Sequence, residues 1–275
     1  MPLTKEVIDT LIEDNSWESY MEITAENVSF TINKVQKPEI APSIEKSVES
    51  IWAQKLKEAQ KQGQTLTSNS IFGIKSTERT GNKYILNIYE TSYKYVIATR
   101  NFQIPGYHEY FLGMRGICFF EISEAKYIIL GERRKEMTYM GGDFEPVPGG
   151  LLEPDDLKSD NPVGTALLRE LHEEIPPTKE KDISQIEVVS LKKNRQYVSV
   201  DIRFLIELNK KWQKNYKIHQ KTDYVEIHPL EGKFPEHKNI IGVPVNYLSK
   251  FILTHKDRLA HSKDVFLDLH SKKCL

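Results

Sequence analysis

The chain has 275 residues, 39% of them hydrophobic and 28% charged, an ordinary globular composition that excludes disorder as the default and leaves room for one large domain or two small ones. Lysine plus arginine number 38 against 39 acids, so no overall field steers the chain toward nucleic acid or an anionic membrane, and an anionic substrate has to be captured locally. The two cysteines, Cys118 in an apolar run and Cys274 near the end, suggest no disulfide framework and favour a reducing, intracellular setting.

Residues 1–15 mix acids with apolar residues and lack the cationic head and greasy core of a secretory signal. The strongest apolar run, Gly116 to Ile122, has the length of a strand rather than a membrane span. These features predict a soluble protein with the cytoplasm as default location and the nucleus not excluded. Met21 to Ile32 alternates, and Ser43 to Gln62 reads as a helix opened by Pro42 and closed near Gly63. Ser70 to Ser76 and Lys83 to Tyr89, with Gly81-Asn82 between them, read as a hairpin. A short helix is expected over Thr91 to Thr99 before Pro105-Gly106.

From Gly116 the pattern changes to two apolar strands, Ile117 to Ile122 and Tyr127 to Leu130, then to a Gly/Pro-rich passage, Gly141 to Gly150. A domain boundary is therefore expected near residue 113, dividing the chain into 1–113 and 114–275. Asn161-Pro162 suits a helix start and Pro176-Pro177 its end. Leu157 to Asn161 is expected to bulge as loop. Ile186 to Leu191 and Val198 to Leu208 read as strands, Tyr224 to Ile227 as another, and Val245 to Leu259 as a terminal helix burying Tyr247, Leu248, Phe251 and Ile252.

The chemistry-bearing stretch is Pro148-Gly149-Gly150 followed by Ala166 to Ile175, which contains Arg169-Glu170-Leu171-His172-Glu173-Glu174. Helical residues three and four apart are neighbours, so Glu170, Glu173 and Glu174 project together beside an oily arc of Leu167, Leu168, Leu171 and Ile175. Crowded carboxylates repel one another, and a divalent cation removes that cost. Magnesium takes oxygen ligands and keeps waters and substrate phosphates in its shell. Gly149 and Gly150 would admit metal or pyrophosphate close to the backbone, with the Gly149 carbonyl as a further ligand. The pattern points to attack of water on phosphorus.

These residues resemble the Nudix box, in which a glycine and an upstream glutamate precede Arg-Glu-aliphatic-x-Glu-Glu-x-Gly. The resemblance implies an α+β protein: a Nudix α/β/α sandwich with a mixed sheet, preceded by a smaller α+β N-terminal domain. It makes Glu170, Glu173 and Glu174 metal ligands for magnesium, with manganese as a substitute. Glu173 or Glu174 would also be the base, and Arg169 would hold the glycine loop through its carboxylates. Asp156 stands where the family has its glutamate, Pro176 where it has its closing glycine, and Arg169 follows Gly150 by nineteen positions instead of fourteen. Those departures keep open a catalytically silent nucleotide-binding module.

Ile51-Trp52 to Leu56, Tyr89 to Arg100 and Gly131 to Gly150 also resemble the animal UDP-glucose-hydrolysing Nudix subfamily. That resemblance implies a nucleoside-diphosphate-linked small molecule as substrate, UDP-glucose giving UMP and glucose 1-phosphate. The alternatives are ADP-ribose, a dinucleotide or capped RNA. Candidates for gripping the substrate are Thr91, Ser92, Tyr93, Tyr95, Arg100 and Asn101 around the base or ribose, Arg133 and Arg134 at the diphosphate, and Gly150 at the turn. His172 falls on another helical face and is not a ligand. Lys210, Lys211, Lys214, Lys217 and Lys221, interleaved with Trp212 and Tyr216, keep a minor RNA reading alive, although such runs are usually solvated.

Overall fold

A computed structural model describes residues 3–12, 17–21, 28–61, 63–100, 103–135, 141–194, 198–259 and 263–271. The expected alternation from Met21 to Ile32 lies partly outside these residues, and Asn101 and Cys274 lie wholly outside them. Among the described residues no helix is long and apolar enough to cross a membrane, and Cys118 is a buried free thiol.

The elements in chain order are α1 (Lys5–Ile12), β1 (Trp17–Met21), β2 (Ser29–Lys34), α2 (Pro42–Lys61), β3 (Ser70–Thr80), β4 (Lys83–Ser92), α3 (Tyr93–Thr99), β5 (Phe111–Ile122) and β6 (Ala125–Arg133). They continue with β7 (Phe144–Pro146), β8 (Gly149–Leu151), α4 (Pro162–Glu174), β9 (Ile183–Asn194), β10 (Ser199–Leu208), β11 (Tyr216–Gln220), β12 (Val225–Pro229), β13 (His237–Pro244), α5 (Leu248–Thr254) and α6 (Lys263–Ser271). All the described strands join one mixed sheet, whose main path runs β1-β9-β10-β5-β6-β13-β12-β11. β10 is parallel to β5, while β9, β6 and β8 are antiparallel to their neighbours.

The central strand explains the layering. Cys118 and Phe120 face a core shared with Val163, Ala166, Leu167 and Leu171 of α4. Ile117 and Phe119 face a second core shared with Val7 and Leu11 of α1, Phe251 of α5 and Phe266 of α6. A strand covered on both faces needs a continuous apolar run rather than an alternating one, which is how Gly116 to Phe120 reads. The result is an α+β protein with a mixed sheet between helical layers, as expected. β2, β3 and β4 form a flap of the same sheet that touches β5 through the Gly73–Phe111 pair, and α2 and α3 pack upon it. Packing crosses residue 113 elsewhere too, because β1 pairs with β9 and α1 packs against α6.

Several expectations need correction. Val245 to Leu259 is not one helix: a single-turn segment Val245–Tyr247 leads into α5, and a second, Lys256–Arg258, follows it. The break places Arg258, whose guanidinium donates to the Gly142 carbonyl at 2.6 Å and to Glu132 at 2.8 Å. Tyr247 is 39% exposed rather than buried, with Lys250 over its ring. The segment after Asp155 is not all loop, since Asp156–Lys158 forms one helical turn. Trp212 and Tyr216 are buried; Trp212 donates to Thr178 Oγ1 at 2.8 Å and Tyr216 to the Ile175 carbonyl at 2.8 Å. They close the end of α4 and present no stacking face to RNA.

Candidate active site

Local sequence sets α4 in place at both ends. Asn161 accepts from the Gly164 amide at 3.2 Å and Pro162 occupies the first turn, where its missing N–H is not needed. At the other end the Ile175 carbonyl is taken by the hydroxyls of Thr178 and Tyr216. Between these caps the oily arc faces the sheet, which turns the adjoining acidic arc toward the short β8 strand.

Glu174 is 2% exposed. Its Oε1 accepts from the Gly149 amide at 3.0 Å, and its Oε2 lies 3.3 Å from His237 Nε2. Burial raises its pKa against the opposing pull of His237. Burial alone would depress His237, but the hydrogen bond and negative charge of Glu174 raise it, so the pair holds its proton to higher pH than an isolated imidazole does. His237 opens β13, far along the chain from α4, and no local sequence signal marks it. Its ring lies where a side chain at residue 131 would stand, which accounts for Gly131.

Glu170 is pushed up to about 8, chiefly by burial and further by the charges of Glu174 and Glu173, against the pull of Arg169. Its carboxylate occupies the space that a Cβ at residue 150 would fill. That close approach, rather than unusual backbone, requires glycine at Gly150. Glu173 is 55% exposed, with Oε2 3.5 Å from Arg169 Nη1.

Arg169 ties the parts together. It grips Asp156 with two nitrogens at 3.1 and 3.2 Å, donates to the Leu151 carbonyl at 3.0 Å and meets Glu170 Oε1 at 2.8 Å. Asp156 also accepts from the Glu153 amide at 2.8 Å. Aspartate thus reaches the arginine despite being one methylene shorter than glutamate, because a helical turn carries it inward.

Glu170, Glu173, Gly149 and Gly150 line a cavity of about 410 Å³ that extends to Tyr93 and Arg100, where the guanidinium sits 5.9 Å from the Tyr93 ring centre. Arg133 also lines it and is bound to Glu145 at 2.6 Å. Arg134 turns elsewhere and donates to the carbonyls of Phe234 and Pro235 at 3.0 and 3.1 Å. Ser92 is half-buried at the entry to α3 and makes no capping bond. Thr91 is buried, and Tyr95 donates to Glu45 at 2.7 Å. His172 is exposed and contacts the Thr178 carbonyl at 3.2 Å.

Among the described residues, no three His, Cys, Asp or Glu side chains converge closely enough to hold a metal ion. Each inner carboxylate already has a partner: His237 and the Gly149 amide for Glu174, Arg169 for Glu170. The donor chemistry nevertheless fits a hard divalent cation, since mutually repelling carboxylates in a low-dielectric pocket are relieved by positive charge. In this structure the Arg169 guanidinium supplies part of that charge.

No protein-family model and no curated protein matches the chain. Similar solved structures include the Nudix domain of Shewanella oneidensis NrtR complexed with ADP ribose, at 13% identity and TM-score 0.38, covering 62% of this chain and 92% of that one. A C. elegans Ap4A hydrolase binary complex has 14% identity and TM-score 0.36, with 60% and 98% covered. A Nudix hydrolase from Alicyclobacillus acidocaldarius has 14% identity and TM-score 0.38, with 54% and 85% covered. At these values the likeness carries no weight for activity or substrate.

Proposed function

We propose that this protein is a Nudix-type pyrophosphohydrolase that cleaves a phosphoanhydride bond in a nucleoside diphosphate joined to another group. The observation that carries the reading is the packing of the Glu170 and Glu174 carboxylates against the Gly149-Gly150 turn, with Glu170 and the turn lining the cavity. Glu170, Glu173, Glu174 and the Gly149 carbonyl would hold magnesium or, in its place, manganese. When bound, such a cation neutralises charge developing on phosphate oxygens and acidifies a water. Arg169, anchored on Asp156, keeps the glycine turn and the helix in register. Gly150 gives the Glu170 carboxylate room to lie against the backbone of the turn. Glu173, the exposed carboxylate, is suited to take a proton from water, and Glu174 is the other candidate.

Within this reading a nucleotide sugar such as UDP-glucose is the favoured substrate, on the strength of the resemblance around Tyr89 to Arg100 and Gly131 to Gly150. Tyr93 would carry the base, with Arg133 and the half-buried Ser92 as further contacts. Arg134 is spoken for by backbone carbonyls. The test is product analysis over UDP-glucose, ADP-ribose, dinucleotides and capped RNA with magnesium, for wild type and Glu174→Gln. Release of UMP from UDP-glucose by wild type alone supports the assignment; equal turnover by the variant rejects it.

A second reading, a silent nucleotide-binding module, is favoured by one observation: Arg169 sits on Glu170, and the carboxylates do not converge as ligands. Calorimetry showing nucleotide binding with no hydrolysis under any divalent cation selects it.

A further inference from the structure

The cavity beside α4 is lined by several guanidinium groups, and two of them are firmly committed. Arg133 is held by Glu145 at 2.6 Å and Arg169 by Asp156 and Glu170. Arg115 differs. It lies on β5 directly opposite Gly149 of β8, and its guanidinium carbon stands 3.9 Å from where a Cβ at Gly149 would be. Its nearest acid is Asp201, with Oδ2 3.6 Å from Nε, too far for a hydrogen bond, and the side chain is only 17% exposed. Both Nε and Nη1 are buried without a hydrogen-bond partner.

Buried guanidinium donors left open are costly and are rare in folded proteins. Arg115 lines a cavity of about 410 Å³, through which an acceptor from outside the chain can approach the guanidinium. Nε and Nη1 lie on different edges of the guanidinium plane, so each needs its own acceptor, and a phosphate oxygen supplies one with charge. Asp201 pairs with the charge at 3.6 Å without a hydrogen bond, so an incoming anion meets donors that are not geometrically spent. The expected grip by Arg133 and Arg134 is weaker on these grounds, because the first is paired and the second bonded to backbone.

We propose that Arg115 binds a phosphate group of the substrate through its guanidinium, beside the Gly149 turn. This rests on the reading of the site as one for phosphoanhydrides. Arg115 would fix the diphosphate against β8 while the α4 carboxylates act from the Glu170 side.

The test is calorimetric titration of the full chain with inorganic pyrophosphate in the presence of magnesium, for wild type, Arg115→Gln, Arg115→Lys and Glu170→Gln, with the Arg115 side-chain Nε–H followed by NMR. Wild type should bind with a shift of that resonance, and Arg115→Gln should bind about 10- to 100-fold more weakly, the loss of charge-assisted hydrogen bonds. Arg115→Lys keeps a cation beside Asp201 but has no fork, and should fall between the two with an unchanged melting temperature. Wild-type affinity in both Arg115 variants, or no binding by wild type, overturns the assignment. If wild type binds through Arg115 but hydrolyses no nucleoside diphosphate, the assignment stands and the hydrolase reading fails. If the Arg115→Lys variant hydrolyses with wild-type KM, the hydrolase reading stands and the assignment fails.

Discussion

Replacing Gly150 with alanine should separate catalysis from stability. The added methyl would overlap the Glu170 carboxylate, whereas Gly150 has no positive φ that would itself forbid alanine. Because the obstructing atoms end a flexible side chain, the fold can yield by swinging Glu170 away. The stability lost is then mainly the 2.8 Å bond from Arg169 to Glu170, worth about 1 kcal/mol, and partly offset because Glu170 regains water. For a chain of 275 residues this lowers the melting temperature by about 2 °C. Activity should suffer far more. The carboxylate must retreat by at least about 1 Å, and a misplacement of that size costs about 100-fold in rate. The assay is magnesium-dependent hydrolysis beside calorimetric melting, with Glu170→Gln and the double variant completing a cycle. The double variant should be no slower than Glu170→Gln alone, because both substitutions remove the same group. Undiminished turnover in a folded Gly150→Ala protein would refute the role given to Glu170.

Two further predictions concern the frame that carries the site. Arg203, 1% exposed on β10, is neutralised by Asp268 of α6 at 2.6 Å, and Asp268 also accepts from Ser190 at 2.9 Å and pairs with Lys192 at 3.2 Å. Asp268→Ala removes the acid hydrogen-bonded to a buried cation and should cost about 3–5 kcal/mol, or about 5–9 °C in melting temperature; a shift under a degree in calorimetry contradicts this. His255 lies against the rings of Phe144 and Phe251, at 5.2 and 4.5 Å, and its pKa is lowered from 6.5 by burial and then by Arg258. The unfolded chain therefore takes up this proton first. The stability contributed by this site is full above pH 6.5 and is lost as pH falls through the lower folded-state value. His255→Phe should flatten the decline of denaturant stability with acidification, and an unchanged slope counts against it.

The sequence makes α4 legible because three signals coincide there: Asn161-Pro162 opens it, Pro176-Pro177 stops it, and its apolar spacing has one period. The Ser70-to-Tyr89 hairpin is equally plain, since Gly81 supplies a turn residue at φ +61° between alternating runs. Long-range partners are not legible. His237 meets Glu174 because β13 pairs with β6, and nothing within residues 237–244 announces that pairing. Val245 to Leu259 carries one helical pattern, yet Arg258 is drawn to Gly142 and Glu132, contacts more than a hundred positions distant that overrule local periodicity. Arg115 looks like a charge interrupting a strand. Only the folded sheet shows that its donors are buried, open and opposite Gly149.

The proposed hydrolase activity requires α4 to present its carboxylates to a divalent cation at the glycine turn. Manganese binding followed by electron paramagnetic resonance tests it without reference to substrate. Wild type should bind the ion, magnesium should compete for the same position, and both Glu170→Gln and Glu174→Gln should weaken binding while remaining folded. Equal manganese affinity in wild type and both variants would contradict that requirement.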